Sequence, residues 1–311
     1  MDNYICLDIG GTNIRAALFM NDEIQPIKQL KISAQAEGQK AEDRILDLIK
    51  DIWPQKGVVK AIAAAAPGYV DSEKGIIIKA VNIPGWEYML LQQFIQDKFN
   101  VPVLIGNDAR LAILGEWKYG AGRGHHEIIY LTISTGIGGG VIINDQVLMG
   151  SSGMATKLGH TTILPDGPLC NCGKTGHLEA LSSGSAIARY VLDQIKNGTK
   201  SSLNLAPLPT SKEIAEAALQ GDDLRMTAYK RAGYYLGIAI ANYIQIFNPT
   251  CIILGGGVSL TGELLLNPTK RTLEQVILSK EYLKDLIITT AELGDNAGLI
   301  GALVLIKIHH L

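Results

Sequence analysis

Apolar and polar positions along the chain alternate between the periods typical of strands and of helices. Continuous apolar runs at 4–9 and 58–65 predict buried strands, and apolar residues at helical spacing predict a helix at 41–52. A strand, a helix and a further strand in this order are typical of an α/β domain. The first part of the chain is therefore predicted to be α/β rather than all-β.

The same pattern predicts elements to the end of the chain. Further strands are predicted at 23–32, 103–106, 251–254 and 286–289, and further helices at 88–98, 109–117, 183–195, 222–247 and 297–308. Residues 198–210 are polar and contain proline, which predicts a loop. The chain is long enough for about two domains, and because no low-complexity linker interrupts the pattern, we expect a compact boundary between them. The two domains are 1–117, to which the apolar last helix 297–308 returns, and 118–296.

Two glycine-rich turns, each between a pair of predicted strands, are candidate phosphate-binding sites. The first, at 8–12, reads Asp-Ile-Gly-Gly-Thr, and the second, at 134–140, reads Ser-Thr-Gly-Ile-Gly-Gly-Gly. Backbone N–H groups in such turns can bind a phosphate, although glycine pairs are also common in plain hairpins. The first turn has neither the Walker nor the dinucleotide pattern. The repetition of the turn predicts an internal duplication, with both turns facing one cleft.

Asn107 and Asp108 follow the predicted strand 103–106. Active sites of α/β sheets lie at the carboxyl ends of strands, which makes Asp108 a candidate catalytic carboxylate. The alternative is that Asp108 simply caps the helix that follows.

Two further loops carry candidate binding residues. Asn82 offers an amide in a loop that ends at Trp86, and Trp86 is predicted to belong to the core. The stretch Gly255-Gly256-Gly257 follows a buried strand. It either lets a nucleotide lie against the backbone or forms only a turn at the end of the strand.

The stretch 159–179 combines metal-binding residue types with glycines and prolines that fold the chain back. Its candidate ligands are His160, Cys170, Cys172 and His177. Thiolate and imidazole are the ligands that Zn²⁺ prefers, and four of them make a closed structural site. The Cys-x-Cys spacing is tighter than in common zinc fingers, so ordinary loop residues remain the alternative. A zinc knuckle at 160–177 is predicted, with Glu179 close enough to share its surface.

Composition narrows the class of protein. The chain has 311 residues, of which 47% are hydrophobic and 19% charged, and its formal net charge is −2. This composition is typical of a globular protein. The net charge does not give the positive electrostatic potential that would attract nucleic acid or an acidic membrane. No apolar run approaches the roughly 18 residues of a membrane helix, and no signal-peptide pattern precedes the first strand. Four cysteines do not make a disulfide framework. A cytoplasmic protein without nucleic-acid or membrane partners is expected.

Several stretches together resemble the ROK family, named for repressors, open reading frames and kinases, and the match covers essentially the whole chain. The residues that carry it are Asp8-Ile9-Gly10-Gly11-Thr12 with Arg15, Ala66-Pro67-Gly68, Asn82 with Pro84-Gly85-Trp86, Asn107-Asp108, 134–140, Gly159-His160, Cys170-Asn171-Cys172-Gly173, Gly176, Glu179 and 254–257. The resemblance implies an actin-like ATPase fold, with two ribonuclease-H-like α/β domains around a cleft. It also implies a homodimer or a homotetramer.

The resemblance further implies roles for individual residues. One group is expected to bind ATP and its Mg²⁺: Asp8, Gly10, Gly11, Thr12, Thr135, Gly136, Gly256 and Gly257. A second group is expected to contact a sugar: Gly68, Asn82, Asn107, Asp108, His160 and Glu179. Asp108 is implied to be the base that takes the proton of a sugar hydroxyl as the hydroxyl attacks the γ-phosphate. His160 can bind zinc through one ring nitrogen and the sugar through the other.

Two positions depart from the family's pattern. The third cysteine of the knuckle is His177 here, and histidine is also a good zinc ligand. Many family sugar kinases carry Glu two residues before the Gly-His pair, where this chain has Lys157. Some bacterial N-acetylmannosamine kinases also lack that Glu. Because an ammonium group only donates hydrogen bonds, Lys157 is expected to favour a sugar with an acetamido carbonyl, such as N-acetylmannosamine, over glucose.

The leading interpretation is ATP-dependent phosphorylation of the 6-hydroxyl of a hexose or an N-acetylhexosamine. The family's transcriptional repressors carry a helix-turn-helix before the first phosphate turn, and the early position of Asp8 argues against one here. A third interpretation is a catalytically silent sugar-binding or regulatory protein, or an actin-like ATPase. The presence of Asp108 and Glu179 argues against that third interpretation.

Overall fold

The computed structural model describes residues 1–21, 23–35, 37–80, 83–199 and 210–311. These residues form two compact units. Unit 1 comprises 1–124, 147–156 and 292–311, and unit 2 comprises 125–146 and 157–291. The predicted loop at 198–210 lies for the most part outside the described residues. No helix in the described ranges has both the length and the apolar character required to cross a membrane.

Among the described residues of unit 1, a five-stranded sheet forms the centre. Its strands are, in spatial order, β3 (Lys28–Ser33), β2 (Asn13–Met20), β1 (Asp2–Ile9), β4 (Val58–Ala66) and β8 (Val103–Asn107). β1 is antiparallel to β2 and parallel to β4, which is in turn parallel to β8. A smaller antiparallel sheet contains β5 (Tyr69–Asp71), β6 (Ile76–Lys79) and β7 (Glu87–Met89).

The second five-stranded sheet of the described chain repeats the first. Its spatial order is β11 (Gln146–Val147), β10 (Ile137–Ile143), β9 (Ile128–Ile133), β12 (Cys251–Gly255) and β13 (Ile287–Thr290). β9 is antiparallel to β10 and parallel to β12, which is parallel to β13. Each sheet therefore has a hairpin beside two parallel strands, which confirms the predicted internal duplication.

Helices cover the sheets in both units. Those of unit 1 are α1 (Ala41–Ile52), α2 (Leu91–Phe99), α3 (Asp108–Tyr119) and α9 (Ala297–Ile308). Those of unit 2 are α4 (Leu178–Ser182), α5 (Gly184–Lys196), α6 (Ser211–Leu219), α7 (Asp223–Phe247) and α8 (Glu263–Val276). α1 has the predicted bounds and buries the stripe Ile45, Leu48, Ile49 and Ile52.

β4 is buried on both faces, as its continuous apolar sequence predicts. One face contributes Ile62, Ala64 and Ala66 to the core that also contains the stripe of α1. The other contributes Ala61, Ala63 and Ala65 to a core shared with α3 and α9. Small side chains suit this second face because α3 and α9 approach closely: a Cβ on Gly115 would lie 2.7 Å from the carbonyl oxygen of Ala297.

A buried carboxylate in α3 fixes the segment that leads into α9. Glu116 is fully buried and accepts hydrogen bonds from the backbone N–H groups of Ala121 (2.9 Å), Glu292 (3.1 Å) and Leu293 (2.8 Å). Three donors satisfy a buried carboxylate without a cation. The entry to α9 is thereby held against the end of α3.

Several predicted elements differ from the structure. The helix predicted at 88–98 begins only at Leu91, because residues 87–89 pair with β6 as a strand. The strand predicted at 23–32 is β3, which begins at Lys28. α8 was not predicted, since proline is unfavourable inside a helix and Pro268 lies within it.

Candidate active site and metal centre

The first glycine turn joins β1 to β2 at one edge of the sheet in unit 1. Asp8, one residue before the end of β1, forms an ion pair with Arg15, its cross-strand partner on β2. The pKa of the Asp8 carboxyl is raised, chiefly by burial, and the Arg15 guanidinium opposes that shift. A Cβ on Gly10 would lie 3.1 Å from the carbonyl oxygen of Asn13, so the turn has little room for side chains.

The N-terminus of α9 lies beside the same turn. Gly298, in the first turn of α9, packs so closely that a Cβ there would lie 3.0 Å from Cγ of Asp8. A helix N-terminus carries a partial positive charge and presents backbone N–H groups. The glycine turn, which also contains Gly11 and Thr12, therefore lies in surroundings suited to an anion such as a phosphate.

Asp108 lies at the carboxyl end of β8, in the first turn of α3. Its Oδ1 accepts hydrogen bonds from Nδ2 of Asn107 and from the backbone N–H of Ala109, both at 2.8 Å. The residue that caps α3 is Asn107, whose Oδ1 accepts from the backbone N–H of Arg110. Asp108 is therefore not the helix cap, and the alternative considered for it is wrong. Nδ2 of Asn107 also donates to the carbonyl oxygen of Gly68 at 3.2 Å.

Strand register brings these carboxylates to one edge of the sheet. Asp8 aligns with Ala65 on β4, and the next residue of β4, Ala66, aligns with Asn107 on β8. Two strand spacings, roughly 10 Å, separate β1 from β8. Unit 1 thus gathers Asp8, Gly68, Asn107 and Asp108 at the carboxyl ends of parallel strands, where α/β sheets bind ligands.

The second glycine turn, between β9 and β10, is occupied by a carboxylate from α4. Oε2 of Glu179 accepts a hydrogen bond from the backbone N–H of Ile137 at 2.9 Å. A Cβ on Gly136 would clash with that same oxygen, so glycine is required for the approach. The N-terminus of α5 lies on the other side of the turn, where the N–H of Ser185 donates to the carbonyl oxygen of Thr135.

Gly256 and Gly257 follow β12 and differ in the space that each has for a side chain. Gly256 has φ +81° and packs on the end of β9 with no space for a Cβ beside the carbonyl oxygen of Ile133. A Cβ on Gly257 would meet no atom within 4 Å. The turn at the strand end therefore accounts for Gly256, whereas Gly257 presents open backbone to which a nucleotide could bind.

The candidate metal ligands converge in unit 2. One ligand atom from each of His160, Cys170, Cys172 and His177 lies within 4.8 Å of every other. Sγ of Cys170 lies 3.8 Å from Nδ1 of His160, and Sγ of Cys172 lies 3.2 Å from Nδ1 of His177. Ligand atoms in a tetrahedral zinc site are roughly 3.3–3.8 Å apart. The four residues therefore lie close enough together to hold one metal ion.

Burial sets the protonation of the candidate ligands. It raises the pKa of the Cys170 thiol to about 12. It also lowers the pKa of the His177 imidazole, and neighbouring His160 lowers that pKa further. His177 is therefore held neutral, the form that binds metal, whereas Cys170 loses its proton only when a cation replaces it.

Glu179 links the metal-binding stretch to the second glycine turn. Its Oε1 lies 3.3 Å from Sγ of Cys170, and its Oε2 accepts from the N–H of Ile137. The carboxylate predicted to contact the sugar thus lies between the metal-binding stretch and the second glycine turn. Unit 2 therefore brings Gly136, His160 and Glu179 together around the candidate metal ligands.

Lys157 lies at the start of a short 3₁₀ turn, Leu158–His160, and its carbonyl oxygen accepts a hydrogen bond from the N–H of His160 at 2.9 Å. The preceding residue, Thr156, was not singled out from the sequence. It has φ +66°, where β-branched residues are rare, and its buried hydroxyl has no hydrogen-bond partner among the described residues. Strain of this kind is common near functional sites.

Asn82, which was predicted to contact the sugar, lies outside the described residues.

The fold is of the mixed α/β class, with two sheets of the same strand order. The model of the ROK family matches residues 4–309, and the chain belongs to that family. The predicted family resemblance is therefore confirmed.

Relatives and solved structures place the chain among the sugar kinases of the family. It is 35% identical over 98% of its length to a glucokinase from Halalkalibacterium halodurans, of which it covers 94%. A ROK family glucokinase from Streptomyces griseus, solved with glucose and AMPPNP, has a TM-score of 0.84 at 32% identity, covering 97% of this chain and 98% of that one. A putative N-acetylmannosamine kinase from Listeria monocytogenes has a TM-score of 0.81 at 25% identity, covering 99% of each chain. These structures confirm the predicted α/β fold of the actin-like ATPase type.

Proposed function

We propose that this protein is an ATP-dependent carbohydrate kinase that phosphorylates the 6-hydroxyl of a hexose or an N-acetylhexosamine, with N-acetylmannosamine and glucose as the leading candidates. The observation that carries the proposal is the placement of Asp108, whose Oδ1 is held by Asn107 and the N–H of Ala109. Asp108 lies at the edge of the sheet that also carries Asp8. The similarity to glucokinases over the whole chain supports the same reaction.

In this reaction, Asp108 takes the proton of the attacking hydroxyl. A base in hydrogen-bond reach of that hydroxyl makes the oxygen a better nucleophile toward the γ-phosphate. Two N–H donors on Oδ1 fix the orientation of the carboxylate, so its position does not depend on the sugar. Asn107 and Gly68 complete the sugar contacts of unit 1, with Asn82 as a further contact by resemblance.

The two glycine turns bind the ATP phosphates. Backbone N–H groups of Gly11 and Thr12 and of Thr135 and Gly136 are the proposed donors, and Gly256 and Gly257 lie near the adenosine. The N–H of Gly10 donates within the turn to the carbonyl oxygen of Asn13 at 2.9 Å, so Gly10 contributes to the ATP site by leaving the backbone open to the phosphates. Asp8 would hold the Mg²⁺ that accompanies ATP, and that ion would neutralise charge on the phosphates. The ion pair with Arg15 opposes the rise in the pKa of Asp8 that burial causes.

We further propose that the metal bound by His160, Cys170, Cys172 and His177 is Zn²⁺ with a structural role. The mixed thiolate and imidazole set and its ligand separations support zinc. Zinc would fix the loop that carries His160 and orient that ring toward the sugar. Glu179 provides the second sugar contact of unit 2. A cytoplasmic homodimer or homotetramer is the proposed state of the enzyme, by resemblance to the family.

A panel of sugars with coupled detection of ADP tests the function. N-acetylmannosamine, glucose, mannose, N-acetylglucosamine and a blank without sugar would be compared at saturating MgATP. ADP release that depends on a hexose or N-acetylhexosamine is the expected result. ATP turnover that is equal with and without sugars would contradict it.

A further inference from the structure

Trp86 closes a tight turn in unit 1. Its backbone N–H donates to the carbonyl oxygen of Ile83 at 3.3 Å, and Gly85 between them has φ +83°. Proline followed by a glycine with positive φ is the signature of a type II turn, as Pro84 and Gly85 are here. The turn at 83–86 is therefore rigid by its own sequence.

A charged hydrogen bond attaches this turn to α1. The indole N–H of Trp86 donates to Oε2 of Glu42 at 3.0 Å. The ring is 3% exposed and belongs to the same core as the apolar stripe of α1. An indole N–H that is buried requires an acceptor, and Glu42, in the first turn of α1, supplies it.

A continuous set of contacts leads from this turn to Asp108. The backbone N–H of Ala80 donates to the carbonyl oxygen of Trp86 at 3.0 Å. The backbone of Lys79 and Ala80 packs directly on Gly68, which has φ +86° and no space for a Cβ. The carbonyl oxygen of Gly68 then accepts from Asn107, the residue that also donates to Asp108.

We propose that Glu42 and Trp86 are positioning residues for sugar phosphorylation, because their hydrogen bond holds the 83–86 turn and, through it, Gly68 against Asn107 and Asp108. Neither residue touches the reacting atoms. This inference rests on the proposed kinase function. It gives Glu42 on α1, which belongs to no sequence motif, a role in positioning the sugar-binding residues of unit 1.

Three variants and a matched control test the pair. Glu42→Ala removes the acceptor, Trp86→Phe removes the donor but keeps a buried ring, and Glu42→Gln keeps an acceptor oxygen. Asp43→Ala removes the other carboxylate in the first turn of α1 and is the control. KM for the sugar, KM for ATP, kcat and thermal stability would be measured for each protein.

Glu42→Ala and Trp86→Phe should each raise KM for the sugar by about three- to tenfold, the factor that the net contribution of one hydrogen bond gives. KM for ATP should be unchanged. Glu42→Gln should restore most of the sugar affinity, and the Glu42→Ala, Trp86→Phe double variant should lose no more than either single variant.

Three outcomes overturn the inference while the kinase function stands. The first is a sugar KM in Glu42→Ala equal to that in Asp43→Ala. The second is a parallel change of the sugar KM and the ATP KM. The third is a loss of thermal stability with both KM values unchanged, which would mean that the hydrogen bond is merely structural. If the wild-type protein shows no sugar-dependent ADP release, the proposed function fails instead.

Discussion

The two five-stranded sheets share their strand order, yet they place charge differently at their glycine turns. In the first sheet a carboxylate and a guanidinium form a cross-strand pair, Asp8 with Arg15. The pair in the same place on the second sheet is Thr132 with Gly138, which carries no charge. There the carboxylate comes from outside the sheet, since Glu179 of α4 reaches the N–H of Ile137.

This difference suggests how a duplicated backbone acquired two roles. Both copies keep a turn that can bind phosphate, because backbone N–H groups do not depend on side chains. The side chains then diverge. We infer that the first copy uses its own carboxylate for the nucleotide and its Mg²⁺, whereas the second receives from the metal-binding stretch a carboxylate for the sugar.

The largest effect on activity is expected at the end of the last strand of each sheet, where the two sheets differ. β8 ends in Asn107 and is followed by Asp108, whereas its counterpart β13 ends in Thr290. Asp108→Asn should lower kcat about 10²–10⁴-fold, the usual contribution of a positioned base, and should keep sugar binding. Steady-state kinetics and sugar titration measure both.

Thr290→Val is the control at the matching place in the second sheet. It should leave kcat unchanged, since that strand end carries no proposed catalytic group. A kcat for Asp108→Asn within a few-fold of wild type would mean that Asp108 is not the base.

The next largest effect concerns the metal. Protein purified without added metal should carry one zinc ion per chain by elemental analysis. Cys172→Ala should lose the ion and lower kcat/KM for the sugar about ten- to a hundredfold, because His160 and Glu179 are no longer oriented. Cys251→Ala, at a buried cysteine of β12, should retain both. Folded, active enzyme without zinc would refute the metal centre.

A matched pair of glycine substitutions separates the two turns. In Gly136→Ala the new Cβ must displace the carboxylate of Glu179, so KM for the sugar should rise at least about tenfold through the loss of a charge-assisted contact. KM for ATP should rise in the same variant, because Gly136 is also a proposed phosphate donor. In Gly10→Ala the Cβ meets the carbonyl oxygen of Asn13 at 3.1 Å, so KM for ATP should rise and KM for the sugar should not. An unchanged sugar KM in Gly136→Ala, or a raised sugar KM in Gly10→Ala, would contradict the proposed role of Glu179 at the second turn.

The smallest effect is expected at Lys157. An ammonium group can donate to the acetamido carbonyl of N-acetylmannosamine, and Glu in its place accepts from hydroxyls instead. Lys157→Glu should therefore shift the ratio of kcat/KM values toward glucose by about tenfold, the lower range of one charge-assisted hydrogen bond. Equal ratios in Lys157→Ala and wild type would show that Lys157 plays no part in recognition.

Sequence periodicity predicted the elements whose core is formed by regular apolar positions. α1 and α9 have their predicted bounds because each has a clear apolar pattern and no internal proline. α8 was missed because Pro268 interrupts it. In the structure, the ring of that proline packs on α7 at Gly233, where a Cβ would lie 2.5 Å from its Cγ. Only the tertiary contact explains why proline is accepted there.

In the candidate site too, features within one stretch of sequence could be predicted, whereas contacts between distant residues could not. The candidate metal ligands and the two glycine turns could be recognised from residue type and spacing, since the chemistry proposed for each lies in its own stretch. The bond from Trp86 to Glu42 joins residues 44 positions apart, and no sequence motif links the two. The strained backbone of Thr156 has no signal in the sequence, because threonine is not a residue that favours positive φ.

The most direct test of the central claim is a comparison of ligand affinities by calorimetry in two variants, Asp8→Asn and Glu179→Gln. Each would be titrated with the preferred sugar and, separately, with Mg²⁺ and a non-hydrolysable ATP analogue. We predict that Glu179→Gln loses sugar affinity by at least about tenfold and keeps nucleotide affinity, because it loses a charge-assisted contact to the sugar alone. Asp8→Asn should show the opposite pattern. Loss of both ligands to the same extent in each variant, or unchanged sugar affinity in Glu179→Gln, would contradict the division of roles between the two carboxylates at the glycine turns.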